Sequence, residues 1–263
     1  IGASGKTADL AVKASRKSRK KPIVVMALSC LAVAQMRLRK SADAVRNGTA
    51  AAHQFAALGD ERERGRALWA VACAQDDLGR KLESERTADA ALALARRTGD
   101  RYGEAAALNI RWRQNIDLAM RLRGLQQALA GYRASGYVSG QAAIYNNLAL
   151  AYRALGLYRR ANRMAHSTIE IRRRLHDFNS VANGLIILGG NDTLAGNAAS
   201  ARRHLAELEA MRSLPKVNAD GVWELGRVWL AGLIAVSERD GATALTFLEQ
   251  ALALVATMQE TSF

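Results

Sequence analysis

The feature that most constrains this chain is a self-similarity with a period of forty residues. The ten residues LAVAQMRLRK, which begin at Leu31, align with VACAQDDLGR, which begin at Val71, and share alanine, glutamine and leucine positions. The dipeptide Gly59-Asp60 recurs at the same shift. Regular repetition at this length is typical of solenoids, in which each unit buries its apolar face against its neighbours. We therefore expect stacked units rather than one closed core.

The composition indicates that these units are helical. Hydrophobic residues make up 49% of the chain but aromatic residues only 5%, so the apolar content is mainly alanine, leucine and valine. The chain has two prolines, Pro22 and Pro215, and its apolar residues do not alternate with the period of two that marks a half-buried strand. Because proline breaks helices and alanine and leucine favour them, the sequence predicts an all-α protein.

Each unit reads as two antiparallel helices joined by a short turn. In the second unit the first helix is predicted at about 61–78, with Asp60 as its N-cap and Glu63 closing a capping box. Gly79 ends this helix, and a second helix over about 82–98 stops at Gly99. A pair of this size cannot bury its own apolar stripe, so neighbouring units must cover it.

Six such units and one half unit account for the chain. The predicted bounds are approximately 7–20 for the half unit, then 22–59, 60–99, 100–136, 137–176, 177–214 and 218–258. The third unit departs from the pattern: its period is thirty-seven, from Gly99 to Gly136, and bulky Trp112 falls where a small residue is expected. Either the register slips there or the solenoid bends. We expect a single solenoid domain over 1–263. Because the half unit at 7–20 lacks its first helix, we also expect this domain to be a fragment of a larger protein.

The fourth unit, AIYNNLALAYRALGLYRRANRMAHSTIEI, resembles the tetratricopeptide repeat in its longer, forty-residue bacterial form. The matching residues are Leu148, Ala149, Tyr152, Gly156, Tyr158, Ala161, Thr168 and Ile169. HEAT-type repeats have a similar length but usually carry a proline inside a helix, which is missing here. The resemblance implies a right-handed α-solenoid of antiparallel helix pairs, in which small side chains let the two helices approach closely.

The resemblance also implies a binding face. In similar proteins the first helices line a concave groove, and ligands contact their second, fifth, ninth and twelfth residues. The candidate ligand-binding residues are Arg66, Trp69, Asp76, Asn109, Arg113, Asn146, Leu150, Arg153 and Asn183. Asparagine can hydrogen-bond a peptide backbone, arginine can hold a carboxylate, and tryptophan is an apolar anchor. The alternatives are that Trp69 is a core residue and that the polar residues are ordinary surface groups.

Six other residues are assigned to groove positions of these units. They are Cys73, Ala106, Ile116, Ala143, Ile186 and Thr193. The function implied by the resemblance is a non-catalytic scaffold or sensor that binds a protein or peptide. It would be a segment of a larger cytoplasmic regulator, since repeats of this type are appended to signal-transduction ATPases, LuxR-type activators and some adenylate cyclases.

No catalytic constellation is visible in the sequence. The stretch Ala3 to Thr7 reads like the end of a phosphate-binding loop, but the initial glycine and the preceding strand that such a loop requires are missing. The four histidines, at positions 53, 166, 176 and 204, include no pair at i, i+4 and no cysteine at zinc-site spacing. We therefore expect no enzymatic activity, no cofactor and no metal.

The positive charge supports a second hypothesis, nucleic-acid or other polyanion binding. The net charge is +14, and residues 1–21 carry seven lysines or arginines against one acid, Asp9. The basic run consists of Lys13, Arg16, Lys17, Arg19, Lys20 and Lys21. No aromatic residue interleaves this run to stack on bases, so a solvated helix face is the simpler interpretation. A dimer formed through exposed ends of the solenoid is a further hypothesis.

The segment RKSRKKPIVVMALSCLAVAQM can be read in two ways. Basic residues followed by an apolar run at 23–33 are typical of a signal peptide, whereas the repeat register makes 23–38 the first helix of a unit. The register explains more residues and is preferred. The apolar run is too short to span a membrane. The two cysteines, Cys30 and Cys73, form no disulfide framework and are both expected to be buried, which suits the cytoplasm.

Overall fold

The computed structural model describes residues 21–113, 117–214 and 221–260 of the chain, and within these ranges it is built from α-helices with no strand. The all-α prediction is confirmed. A short 3-10 turn, Met211–Ser213, follows the tenth helix. The helices are α1 (Lys21–Arg37), α2 (Ser41–Ala57), α3 (Glu61–Asp77), α4 (Lys81–Thr98), α5 (Arg101–Trp112), α6 (Leu118–Ala134), α7 (Val138–Ala154), α8 (Tyr158–Arg174), α9 (Phe178–Leu194), α10 (Ala198–Ala210), α11 (Gly221–Ser237) and α12 (Gly241–Glu260).

The helices form two compact units, 1–137 and 138–263. In the N-terminal unit, α1 to α6 pack each on the next, and the first helices of successive pairs, α1, α3 and α5, also contact one another. In the C-terminal unit the pairs are α7/α8, α9/α10 and α11/α12, and α9 contacts both α7 and α11. Each unit is thus a stack of helix pairs, as in an α-solenoid. The extent of a single domain over 1–263 stays a prediction.

Nine connections between described helices share one short turn, which has three residues in eight of them and two, Gly99 and Asp100, in the ninth. The residue before the last residue of the turn has a positive φ, and it is glycine in six turns, at positions 59, 79, 99, 136, 156 and 196. Arg39, His176 and Arg239 take the same conformation in the other three. The N–H of the next residue donates to the carbonyl five residues earlier, as from Asp60 to Phe55 at 3.0 Å, which is the bond that closes a Schellman motif. The helix ends predicted at Gly79 and Gly99 are confirmed.

The residue that closes a turn also begins the next helix. The side chain of Asp60 accepts a hydrogen bond from the Glu63 N–H at 3.1 Å, which confirms the predicted cap. Asp177, Asn197 and Asp240 cap their helices in the same way. The predicted capping box is wrong, because the Asp60 N–H is used by the turn and the Glu63 carboxylate pairs with a side chain one helical turn later.

Alanine supplies much of the contact between helices. Ala149 and Ala161, which the sequence assigned to close approach of α7 and α8, are fully buried. Larger apolar side chains fill the remaining space; Phe55 and Leu125 in the N-terminal unit and Leu185, Leu208 and Leu230 in the C-terminal unit are among the most buried. Because a methyl group is the whole side chain at so many contacts, the helix axes lie close together.

The structure explains the irregular third unit by one unusual contact. Helix α5 has 12 residues, whereas α3 has 17, so the shortening falls between the start of α5 and the start of α6. Trp112 ends α5 and packs directly on Gly124 of α6, where any Cβ would overlap the indole ring. The bulky residue at a small-residue position is therefore accommodated by a glycine on the facing helix.

The two cysteines differ. Cys73 is buried, and burial raises the pKa of its thiol to about 12, so it is an inert core residue as predicted. Cys30 is exposed, and the prediction that it is buried is wrong, because it lies on a side of α1 that neither α2 nor α3 covers. Helix α1 itself matches the first helix predicted at 23–38. No described helix combines the length and apolar character that a membrane crossing requires.

The contact between Trp112 and Gly124 can be tested by adding one methyl group. Gly124→Ala forces the indole or the helix to move, and we expect a loss of about 1–3 kcal/mol in the free energy of unfolding measured by urea titration with circular dichroism. The matched control is Gly241→Ala, where the added Cβ meets nothing within 4 Å and stability should change by about 0.5 kcal/mol or less. Equal stability of the two variants would contradict this packing.

Candidate ligand-binding face

The predicted groove residues lie on the first helices of the pairs, and we call the surface they form the first-helix face. In the N-terminal unit this face belongs to α3 and α5, and in the C-terminal unit to α7, α9 and α11. Ile116 lies outside the described residues, as do Ala3 to Thr7 and the basic run from Lys13 to Lys20. The hypotheses that rest on those residues stay predictions.

Arg66, on α3, is neutralised within the N-terminal unit. Its guanidinium donates to both carboxylate oxygens of Asp100, at 2.8 and 3.2 Å, and to Glu63 at 2.8 Å, and it lies 5.5 Å from the centre of the Tyr102 ring. Burial by itself would raise the pKa of Asp100, but the hydrogen bonds from Arg66 and the Gly103 N–H lower it below its usual value. Two carboxylates thus surround one cation.

Arg113 and Asp76 neutralise each other. These two predicted ligand-binding residues, thirty-seven positions apart, form an ion pair between α5 and α3. Burial alone would lower the pKa of Arg113, and the pairing with Asp76 raises it above its usual value. A ligand could bind either charge only by breaking this ion pair.

The apolar and amide residues on the same face are also partly buried in contacts within the unit. Trp69 is half-buried and packs against the cluster of Cys73, Ala88 and Ile110, which favours the core interpretation over that of an exposed anchor. Ala106 is buried, and Asn109 is half-buried on α5. The candidate binding residues of the N-terminal unit are therefore largely engaged with other residues of the same unit.

The C-terminal unit brings its two predicted asparagines together. The Asn183 side chain on α9 donates to the Asn146 side-chain oxygen on α7 at 3.1 Å. Leu150 and Ile186 flank them and pack against the main core cluster of this unit. Thr193 is buried, and its hydroxyl donates to the Gly189 carbonyl at 2.9 Å, so it does not reach the surface.

Arg153, on α7, has no counter-charge in the part of the chain that the structure describes. Its side chain is half-buried, and burial lowers the pKa of its guanidinium below the usual value. Arginine nevertheless stays protonated in proteins, so this is a partly desolvated positive charge. Arg153 thus differs from Arg66 and Arg113, whose charges are paired with carboxylates.

Gly190, which has no side chain, lies between Arg153 and the exposed side chain of Trp229. The position that a Cβ on Gly190 would take is 2.8 Å from Cη2 of Trp229 and 3.8 Å from Nη1 of Arg153. The Trp229 side chain, on α11, is 41% exposed. The Trp229 ring thus packs over buried Gly190 beside Arg153, so that a cation and an aromatic ring lie close together across α7, α9 and α11.

Gly190 and Trp229 were not predicted from the sequence, although a signal for them exists. Gly190 falls at position nine of the fifth unit in the groove register that also gave Asn183 and Ile186. Trp229 takes the fifth position of the sixth unit once the three-residue delay before that unit is included. Completing the register in the fifth unit and carrying it into the sixth would have placed both on the face.

A buried polar network joins α8, α9 and α10. Asn191 is fully buried and donates to Asn162 at 2.9 Å, Asn162 donates to Asp192 at 2.6 Å, and His204 lies 3.3 Å from Asp192. Burial lowers the pKa of His204 despite this carboxylate. The His166 and His204 rings are 6.5 Å apart, a proximity that the spacing of the histidines does not reveal. Across the described ranges no three or more metal-ligating side chains are grouped to hold a metal ion.

The comparisons with known proteins concern the fold. No family model and no curated protein matches the sequence. Among the similar solved structures is apo RapI, with a TM-score of 0.71 and 14% identity over 90% of this chain and 85% of that one. Another is the TPR-like repeats of a putative kinesin light chain from Podosopora anserina, with a TM-score of 0.58 and 17% identity over 75% of this chain and 97% of that one. A third is a signal transduction ATPase with a tetratricopeptide repeat sensor from Pyrococcus horikoshii, with a TM-score of 0.64 and 16% identity over 95% of this chain and 39% of that one. The fold is a TPR-type helical repeat.

The ion pairs that close the N-terminal face can be tested through Asp100. Its side chain is 6% exposed, and Asp100→Asn should lower the free energy of unfolding by about 1–3 kcal/mol at pH 7, measured by urea titration. Because the pKa of Asp100 is lowered in the folded state, its contribution is complete above about pH 4 and is lost as the pH falls through that lowered value. The difference between variant and wild type should therefore shrink in acid.

The matched control for this prediction is Asp43→Asn. Asp43 forms an exposed ion pair with Arg46, in which the two side chains are 41% and 71% exposed. Such a pair contributes about 0.5 kcal/mol or less. If Asp100→Asn were as mild as this control, Arg66 would be free to meet a ligand.

Proposed function

We propose that this chain is a non-catalytic scaffold that binds a peptide segment of a protein partner on the first-helix face of its C-terminal unit. The observation that carries the proposal is the half-buried charge of Arg153, which lacks a counter-charge among the described residues and lies beside exposed Trp229. The binding residues are then Arg153, Asn146, Asn183, Leu150 and Trp229.

The energetic argument concerns desolvation. A guanidinium that has lost part of its water and has gained no carboxylate is in an unfavourable position. A carboxylate of the ligand, from an acidic side chain or a chain terminus, would restore two charge-assisted hydrogen bonds to Arg153. The cost of desolvating the cation has already been met in the free protein, so the interaction is more favourable than at a fully exposed arginine.

The remaining groups suit an extended peptide. The bond between Asn183 and Asn146 uses one donor of the first and one acceptor site of the second. Each amide keeps hydrogen-bonding capacity for the backbone N–H and C=O groups of a ligand. The exposed part of the Trp229 ring offers an apolar surface to a ligand side chain beside Arg153, and a large aromatic in such a position is typical of an interaction hot spot.

The wider role follows from the repeat type. We infer that the chain is the sensor part of a larger, cytoplasmic bacterial regulator of the forty-residue tetratricopeptide class, controlling signalling or transcription. The similarity to the ATPase with a tetratricopeptide repeat sensor supports this inference: 95% of this chain aligns with 39% of that protein. The partner would then alter the output of a neighbouring domain.

The proposal can be tested with a peptide array. Decapeptides with free and with amidated C-termini are screened against the full chain, and bound sequences are measured by calorimetry. Arg153→Ala should weaken binding about tenfold or more, because a hydrogen-bonded charge pair contributes about 1.5–3 kcal/mol. Asn146→Ala and Trp229→Ala should weaken it too, while the helical circular dichroism of all three stays unchanged.

Arg174→Ala is the matched control, since this arginine is 74% exposed on α8 and lies off the first-helix face. It should bind as the wild type does. Peptides that bind equally well to Arg153→Ala and wild type would place recognition elsewhere. Amidation that abolishes binding only for peptides without acidic side chains would identify the terminal carboxylate as the group held by Arg153.

A further inference from the structure

Helix α8 presents a surface of a different kind. It is the second helix of its pair, and its seven exposed side chains are five arginines, one histidine and one glutamate: Arg159, Arg160, Arg163, His166, Glu170, Arg173 and Arg174. Apart from the His166 imidazole, no exposed side chain of this helix is aromatic, and none is apolar. Such a surface lacks the apolar centre that protein interfaces generally require.

The charge on α8 is compensated at one end only. At the C-terminal end, Arg172 pairs with Asp177, Arg173 with Glu207, and Arg174 with Glu170. At the N-terminal end, the side chains of Arg159, Arg160 and Arg163 make no ion pair or hydrogen bond within the described part of the chain. The uncompensated charge is therefore concentrated within the first two turns.

These arginines lie where helix electrostatics disfavours them. The N-terminus of a helix carries the positive end of its dipole, so acidic residues stabilise the first turn and basic residues oppose it. Helix α8 has no acidic residue in its first turn, and its cap residue, Leu157, offers no side-chain hydrogen bond. Residues that oppose helix stability, and that no other interaction in the fold compensates, are expected at functional surfaces.

Helix α10 extends this surface. His204 on α10 contacts His166 on α8 through their rings, 6.5 Å apart, so the two second helices lie side by side at this level. Arg203, next to His204, is exposed and also unpaired among the described residues. We call Arg159, Arg160, Arg163 and Arg203 the basic ridge.

We propose that the basic ridge binds the phosphate backbone of double-stranded nucleic acid. Guanidinium groups match phosphate geometry, and Arg159 and Arg163, one helical turn apart, lie on one face of α8. A single strand would call for exposed Phe, Tyr or Trp rings on which successive bases stack, and α8 exposes none of these. Binding to backbone phosphates is independent of sequence and falls steeply with salt. The ridge is on second helices, so this activity is separate from peptide binding on the first-helix face.

The test compares two double variants of the full chain that remove the same charge from the same helix. Arg159→Gln/Arg163→Gln removes ridge arginines, and Arg173→Gln/Arg174→Gln removes compensated ones. Affinity for a fluorescein-labelled 20-base-pair duplex of random sequence is measured by fluorescence anisotropy from 25 to 200 mM NaCl. Circular dichroism checks that both variants are folded.

The ridge variant should bind the duplex about tenfold or more weakly than wild type at 50 mM NaCl. The slope of log K against log salt should decrease in magnitude by about 2, since each phosphate contact contributes about 0.9. The compensated-arginine variant should change both quantities much less. Arg153→Ala should leave duplex binding unaltered, which separates this proposal from the peptide-binding one.

Three results would overturn the proposal. Wild-type protein that does not bind the duplex at 25 mM NaCl has no such activity. Equal losses in the two double variants, or no loss in either, would assign binding to net charge or to other basic residues. Competition by poly-glutamate as strong as by unlabelled duplex, at equal charge concentration, would identify an acidic protein as the partner instead.

Discussion

The backbone hydrogen bond that closes the short interhelical turns within each unit is the interaction on which the rest of the structure depends. It ends one helix, and the residue that donates it begins the next, so the chain reverses within three residues. A reversal this short forces consecutive helices to be antiparallel neighbours. Within each unit the first helices then lie side by side, and residues four positions or one repeat apart come to share a face. Gly190 of α9 lies beside Arg153 of α7 because these turns hold the two first helices next to each other.

Most of the fold could be predicted because its determinants are local and repeated. The cap at Asp60 and the helix ends at Gly79 and Gly99 are each specified by residues within a few positions of one another, and the period placed the remaining helices. The failures have a common physical cause. Trp112 looked misplaced because its compensation, Gly124, lies on the facing helix, and Cys30 looked buried because an apolar neighbourhood in sequence does not reveal which side of a helix is covered.

The candidate site was harder to predict than the fold, because a groove position in a repeat says where a side chain is and not whether it is free. Arg113 and Arg153 were chosen by the same rule. The first meets Asp76 one repeat away and is neutralised, and the second meets no carboxylate among the described residues. Pairing across about thirty-seven positions recurs, as in Asn146 with Asn183, so a search at the repeat spacing would have found these partners.

The packing of each helix mainly on its neighbours along the chain also has a consequence for how the protein acquires its structure. Contacts that are short in sequence require little loop closure, and chains dominated by them fold quickly. In a repeat array, ordering can begin at any pair and spread to the next. During synthesis each hairpin of a unit can therefore dock on the preceding one as soon as it leaves the ribosome, without waiting for residues that have not yet been added.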